Sequence, residues 1–124
     1  VLTNVSLAPD TCSPVIVVGR VFATAYGEMY CLDLKNGLKT IWVAEDDMFF
    51  DHSNVIGGNG RVLAWTNSGD LLLLDAAANE FKPLARLHPF GDASTDSMSH
   101  PAIVGNRLYL RGPNELACFE LGEK

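Results

Sequence analysis

The stretch RVFA at residues 20–23 recurs as RVLA at residues 61–64 and as RLYL at residues 107–110. A Gly or Asn turn signal stands before each copy. A second apolar stretch, which ends in an acidic residue, follows each copy at nearly the same distance. The copies are spaced by roughly 40 to 46 residues, a period typical of arrays built from short repeated units. Three imperfect copies of one unit therefore account for most of the chain.

Each copy predicts the same succession of β-strands. A short apolar strand is followed by a Gly/Asn turn, a strand that begins with arginine, a second turn and a third strand. A fourth strand is predicted in the first two copies, at residues 40–44 and 81–87, and not in the third. Gly, Asn and β-branched residues interrupt every window that is long enough for a helix. The chain is therefore predicted to be all-β.

The third strands decide how the sheets must pack. They read MYCLD at residues 29–33, LLLLD at 71–75 and LACFE at 116–120, and they are apolar at consecutive rather than alternate positions. Both faces of such a strand must be covered, which a lone hairpin cannot do. Radial stacking of short four-stranded sheets covers both faces. We therefore predict about three four-stranded antiparallel sheets that stack as the blades of a β-propeller.

The predicted organisation is one domain over residues 1–124. Its blades lie at approximately residues 8–44, 51–87 and 97–121. A β-sandwich is the alternative, but it explains the spacing of the turns and not the repeated Arg and Asp/Glu positions. Three blades do not close a ring, so we expect the C-terminal part of a longer propeller, or a unit that associates through its open blade edges with itself or with another protein.

Composition and charge exclude two classes of partner. The chain has 124 residues, of which 48% are hydrophobic and 19% charged, and its formal net charge is -6. An acidic chain is a poor match for the phosphates of nucleic acid or for an anionic membrane surface. The longest apolar runs, at residues 15–18 and 71–74, are too short to cross a bilayer. We therefore predict no nucleic-acid binding and no membrane insertion.

The stretch CLDLKNG at residues 31–37, followed by Trp42, resembles the repeat of PQQ-like β-propellers, whose signature is A-x-D-x-x-T-G-x-x-x-W. Cys31 replaces the Ala, Asn36 replaces the Thr, and Trp42 stands one residue late. The second copy keeps Asp75 but lacks the glycine and the tryptophan. The resemblance implies that Trp42 docks one blade on the next and that Asn36-Gly37 forms a turn.

The same resemblance implies a range of functions. The repeat is found in quinoprotein dehydrogenases and in the periplasmic lipoprotein of the outer-membrane barrel assembly machinery. It favours a non-catalytic scaffold or protein-interaction module without a cofactor, in the periplasm or outside the cell. The alternative is a fragment of a quinone-dependent dehydrogenase that binds PQQ and calcium. Trp42 and Trp65 are too few to form a convincing floor for a quinone.

Two loops contain candidate metal ligands. The first has the side chains Asp46, Asp47, Asp51 and His52, an oxygen-rich set of the kind that hard cations prefer, although it lacks the spacing of a dedicated calcium loop. A solvated acidic loop is the alternative. The second loop has four candidate ligands at intervals of four residues: His88, Asp92, Asp96 and His100. On a helix they would share one face and could bind zinc. Gly and Pro nearby oppose a helix, and His100 is expected to bond to the main chain instead.

Three large apolar residues in the first loop, Met48, Phe49 and Phe50, form the candidate interaction surface. Such residues in a surface loop either tuck beneath the loop or meet a partner, and the sequence leaves both open. No sequence motif sets up a catalytic nucleophile, so no catalytic residue is predicted.

The cysteines and the repeated arginines are given structural roles. Cys31 and Cys118 hold equivalent repeat positions and are predicted to fill the core, whereas Cys12 is expected to be accessible. The arginines could form a basic ring, but we expect each to pair with an acid of its own or the adjacent blade, such as Asp33, Asp75 or Glu120. Those arginines are Arg20, Arg61 and Arg107.

Overall fold

The computed structural model describes residues 3, 12–50, 52–91 and 99–121 of the chain. These residues form three antiparallel sheets and a single 3-10 turn at Asp47–Phe49. Sheet 1 consists of β1 (Val15–Val17), β2 (Arg20–Ala25), β3 (Glu28–Asp33) and β4 (Lys39–Glu45). Sheet 2 consists of β5 (Ser53–Gly58), β6 (Arg61–Thr66), β7 (Leu71–Asp75) and β8 (Pro83–Leu87). Sheet 3 consists of β9 (Ala102–Val104), β10 (Arg107–Arg111) and β11 (Leu116–Glu120).

The strands of each sheet follow one another as simple hairpins. The spatial orders are β1-β2-β3-β4, β5-β6-β7-β8 and β11-β10-β9. Sheets 1 and 2 therefore have the predicted four strands, and sheet 3 has three among the described residues. No helix among these residues has the length and apolar character of a transmembrane helix.

The strand pairing follows the sequence repeat. In each sheet the arginine that begins the second strand is the Cα partner of the acidic residue that ends the third strand. The pairs are Arg20 with Asp33, Arg61 with Asp75, and Arg107 with Glu120. The three copies seen in the sequence are therefore three copies of one hairpin register.

Sheet 2 is packed on both faces. Along β6, Val62 and Ala64 join the apolar cluster shared with sheet 1, whereas Leu63 and Trp65 join the cluster shared with sheet 3. Because successive side chains of a strand point to opposite faces, consecutive apolar residues fill both interfaces. The predicted need for cover on both faces is confirmed. The fold is all-β, and its sheets stack as the blades of a β-propeller.

The two faces of each sheet are named by the repeated arginine. The forward face is the face of the sheet on the same side as the repeated arginine, by the alternation of side chains along the strand. The back face is the opposite face. The forward face of sheet 1, with Phe22 and Trp42, packs on the back face of sheet 2. The forward face of sheet 2, with Leu63 and Trp65, packs on the back face of sheet 3. The same forward-on-back contact is therefore made twice.

Trp42 lies between sheets 1 and 2, as the repeat resemblance implies. Its ring centroid is 6.1 Å from that of Phe22 in sheet 1 and 5.5 Å from that of Phe81, which precedes β8. Its indole N–H is buried without a hydrogen-bond partner, so the residue acts through apolar packing. Gly37 lies in the turn after β3 with a φ of 68°, a conformation that glycine adopts without a steric penalty.

Arg20 connects sheet 1 to sheet 2, but its acceptors are not the predicted acid. Its guanidinium donates to Ala76 O at 3.2 Å, to Ala78 O at 2.6 Å and to Asn79 Oδ1 at 2.7 Å. Asp33 instead accepts from Asn36 Nδ2 at 2.6 Å. The expected Arg20–Asp33 ion pair is therefore wrong, because stacking brings the turn after β7 to the arginine.

Replacing Arg20 with methionine is expected to lower the free energy of unfolding by about 1–3 kcal/mol, because two main-chain carbonyls lose a charged donor. Arg61→Met is the matched control, since Arg61 is exposed and, within the described residues, its guanidinium makes only a 3.5 Å contact to Gly60 O. Urea denaturation followed by circular dichroism measures both. Equal losses for the two variants would contradict a special role for Arg20.

Candidate functional site

The loop between sheets 1 and 2 is held in a defined shape. Asp46 Oδ1 accepts a hydrogen bond from Met48 N at 3.1 Å and so caps the 3-10 turn. Main-chain bonds fasten the loop to the turn between β2 and β3: Asp46 N donates to Gly27 O at 3.1 Å, and Gly27 N donates to Phe49 O at 3.2 Å. The loop is therefore an ordered platform on the end of sheet 1.

Only part of the candidate interaction surface reaches solvent. Met48 and Phe49 are buried in the cluster between sheets 1 and 2, so the alternative of tucking beneath the loop holds for these two. Phe50 is 64% exposed. Its ring lies over Gly27, where an added Cβ would stand 2.8 Å from the ring edge. Gly27 also has a φ of 83°, so a larger residue there would disturb both the turn and the ring.

A network of charged side chains lies beside this loop and joins sheets 1 and 2. Arg86 on β8 is 3.3 Å from Asp46 Oδ2 and 3.7 Å from Asp70 Oδ1. His88 Nδ1 is 3.3 Å from the same Asp70 oxygen, and Ser68 Oγ donates to the other at 2.8 Å. The sequence analysis missed Arg86, because no repeated position marks it. Each exposed ion pair adds little to the free energy of unfolding. The network therefore orients the loop more than it stabilises the fold.

The candidate metal ligands that lie among the described residues are not gathered into one site. Asp46 is occupied by its capping bond and by Arg86, and His52 Nε2 is 3.1 Å from Asn54 Nδ2. His88 faces Asp70, and His100 Nδ1 is 2.9 Å from Pro101 O, the main-chain contact expected for it. Asp47 is exposed in the 3-10 turn. Asp51, Asp92 and Asp96 lie outside the described residues. Within the described ranges, no three His, Cys, Asp or Glu side chains are grouped to hold a metal ion.

The cysteines occupy three different environments. Cys31 is buried between sheets 1 and 2, as predicted. Cys118 is exposed, so the prediction that it fills the core is wrong. It belongs to the forward face of sheet 3, against which the described part of the chain packs no sheet. Cys12 is half-buried, and its sulfur accepts hydrogen bonds from Thr24 N and Thr24 Oγ1, both at 3.3 Å.

The buried thiol of Cys31 predicts a loss of stability at alkaline pH. Burial raises its pKa from 9.0 to about 11, against a smaller opposing effect of Arg20. Between these values the folded protein keeps a proton that the unfolded chain releases, so the free energy of unfolding falls as pH rises through this window. Urea denaturation of wild type and Cys31→Ala across the window measures the effect. The variant should lose less stability than wild type, and parallel curves would contradict the assignment.

The forward face of sheet 3 is the second exposed surface of the described chain. It contains Leu116, which is 73% exposed, and Val104, which is 66% exposed. An open depression of 690 Å³ lies over this face and is lined in part by Ala102, Tyr109 and Arg111.

No protein-family model and no curated protein matches the chain. Among solved structures, the chain is similar to the crystal structure of BamB from Moraxella catarrhalis, with a TM-score of 0.41 and 13% sequence identity. The similarity covers 86% of this chain and 41% of the BamB chain, so this chain spans less than half of that protein. The assignment of the fold rests on the strand orders and the sheet contacts of this chain itself.

Proposed function

We propose that the chain is a non-catalytic scaffold that binds a protein partner through the loop between sheets 1 and 2. The observation that carries this proposal is the exposed ring of Phe50 on a loop whose main chain is fastened to Gly27. Exposed aromatic side chains are frequent anchors of protein interfaces, and an anchor that is already ordered loses little entropy on binding. The module is of the PQQ-like repeat type, and the resemblance of the CLDLKNG stretch supports this assignment.

The charges around Phe50 describe the partner. Glu45 and Asp47 are exposed in the segment that leads into the buried part of the loop, and between them Asp46 is only partly neutralised by the exposed Arg86. A matching partner has an apolar pocket for the ring, bordered by Lys or Arg side chains, because complementary charges steer and orient such contacts. A periplasmic or extracellular site of action follows from the repeat resemblance alone.

The alternative function, a fragment of a quinone-dependent dehydrogenase, has less support. Trp42 and Trp65 are both buried within the interfaces between sheets, so neither offers a free ring face as a floor for PQQ. One of the candidate calcium ligands, Asp46, is committed to Arg86 and to the 3-10 turn.

Two measurements test the proposal. Absorbance titration with PQQ, with and without calcium, should show no saturable binding, and stoichiometric binding would reject the scaffold function. Capture of protein partners by immobilised chain should be lost in Phe50→Ser. It should persist in Leu84→Ser, which alters a similarly exposed apolar residue on β8. Equal capture by the two variants would remove Phe50 from the interface.

A further inference from the structure

Sheet 3 ends on an open edge in the described chain. Sheets 1 and 2 each end on a fourth strand, whereas β11 is the outermost strand of sheet 3. The residue after β11, Leu121, donates its N–H to Asn106 O, so every second residue back along β11 directs its main-chain groups to β10. The main-chain groups that point outward, where no described strand pairs with them, are those of Leu116, Cys118 and Glu120.

A groove of about 270 Å³ lies beside this edge, between sheets 2 and 3. It is lined mainly by apolar side chains, among them Leu71, Leu87, Leu108 and Phe119. The exposed fraction of Leu87 is 57%, whereas Ala44, which holds the same repeat position on β4, is 8% exposed in the cluster between sheets 1 and 2. A fourth strand on sheet 3 would cover this groove and Leu87 with it.

We propose that the outer edge of β11 binds an extended segment of another protein as a fourth, antiparallel strand of sheet 3. An unpaired strand edge is a template for such pairing. Main-chain hydrogen bonds to β11 provide affinity, and the side chains that enter the groove provide selectivity. Every strand of the described chain already belongs to a sheet, so a second copy offers no free strand there. This site is separate from the loop with Phe50 and does not rest on it.

The contact between the fourth strands of sheets 1 and 2 indicates which side chain enters the groove. Trp42 of β4 and Phe81, which precedes β8, have their ring centroids 5.5 Å apart. On β8 the position of Trp42 is held by Ala85, because each is the partner of the residue two before the acid that ends the third strand. A smaller side chain leaves more room for its neighbour. We therefore expect the bound segment to have an aromatic or large aliphatic side chain at the place of Phe81.

Charge specifies one end of the bound segment. Lys39, the first residue of β4, is the Cα partner of Asp33. Lys82 comes directly before β8, at the end of sheet 2 where Asp75 ends β7. Glu120 ends β11 in the same way and is exposed. Opposite charges on neighbouring positions of adjacent strands are favourable, so we expect Lys or Arg at the start of the segment that binds β11.

The first test uses a fluorescent peptide with the sequence of residues 80–88, which includes Phe81 and Lys82. It carries Arg86→Val, because the groove is apolar and valine holds this place in β4. Fluorescence anisotropy should show saturable binding to the chain and none for a scrambled peptide. Leu87→Asp in the protein should weaken binding by roughly tenfold or more, because it places a charge in the groove. Leu84→Asp is the matched control, since Leu84 is similarly exposed on β8 but does not line the groove.

Two N-methylated forms of the peptide test the main-chain pairing. Ala76 N donates to Gly60 O, so Leu73 directs its main-chain groups away from β6 and to its partner Ala85 on β8. In the bound peptide, the N–H of residue 85 should likewise face β11, and that of residue 86 should face away. Methylation at residue 85 should therefore weaken binding by roughly tenfold, whereas methylation at residue 86 should change it by less than about twofold.

A charge exchange tests the direction of the segment. Glu120→Lys in the protein should weaken binding of the peptide by roughly threefold or more, because it faces the peptide's lysine with a like charge. A peptide that carries Lys82→Glu should bind this variant better than it binds wild type. Equal preference for the two proteins would overturn the antiparallel arrangement, because it would place the start of the segment away from Glu120.

Three further results would overturn the proposed site. One is the absence of saturable binding to a chain that circular dichroism shows to be folded. Another is equal binding of the two methylated peptides, which would exclude strand addition. The third is association of the chain with itself that Leu87→Asp abolishes in sedimentation, which would assign the edge to a second copy. Phe50→Ser should bind the peptide as wild type does, so failure at this edge and failure of the loop surface are distinguishable.

Discussion

Replacing Trp65 with alanine is expected to lower the free energy of unfolding by about 3–5 kcal/mol. Trp65 is 1% exposed and lies in the cluster between sheets 2 and 3, with its ring centroid 6.1 Å from that of Phe90. Phe90 in turn packs on Phe119 of sheet 3 at 5.9 Å. Removing the indole leaves a cavity at the end of this aromatic row, which the stacked sheets cannot fill without shifting toward each other.

Trp65→Phe is the matched control for this prediction. The indole N–H of Trp65 is buried without a hydrogen-bond partner, so phenylalanine removes no hydrogen bond and keeps most of the ring packing. The Trp65→Phe change is expected to lower the free energy of unfolding by less than about 1.5 kcal/mol. Urea denaturation followed by circular dichroism gives both values. A loss below about 1 kcal/mol for the alanine variant would show that sheet 3 does not depend on this interface.

The elements that the sequence predicted well are those set by neighbouring residues. The turn signals and the arginine-to-acid spacing determine a hairpin register, and Arg61 is the Cα strand partner of Asp75 as the pattern requires, although the two side chains form no ion pair. The consecutive apolar residues of β7 required cover on two faces, and the structure provides it. Such patterns are local, so they can be read without knowledge of the tertiary fold.

The failures concern contacts between sheets. The acceptors of Arg20 lie in the turn of the next sheet, and which atoms meet depends on the offset between the stacked sheets. Cys31 and Cys118 are equivalent in the repeat but differ in burial, because the described residues place a following sheet against Cys31 and none against Cys118. Phe49 and Phe50 also differ in burial, although they are neighbours in the sequence. The direction of each ring is set by the 3-10 turn, which the sequence analysis did not predict.

Replacing Gly57 with alanine is expected to lower the free energy of unfolding by about 1–3 kcal/mol, although a Gly to Ala change in an open strand is ordinarily neutral or favourable. Gly57 lies on the back face of sheet 2, opposite Val62. A Cβ at this position would overlap Val17 Cγ2 of sheet 1. The methyl group would therefore act as a wedge between the first two sheets.

Gly58→Ala is the internal control, because a Cβ at the neighbouring position meets no atom within 4 Å. It should leave stability within about 0.5 kcal/mol of wild type. The close approach is also tested by shortening Val17, since Val17→Ala should recover part of the stability that Gly57→Ala loses. The two changes should therefore couple in a double-mutant cycle, whereas Gly58→Ala and Val17→Ala should be additive. Additive losses at Gly57 and Val17 would mean that sheets 1 and 2 do not meet at this glycine, and the stacking of the first two blades would need to be revised.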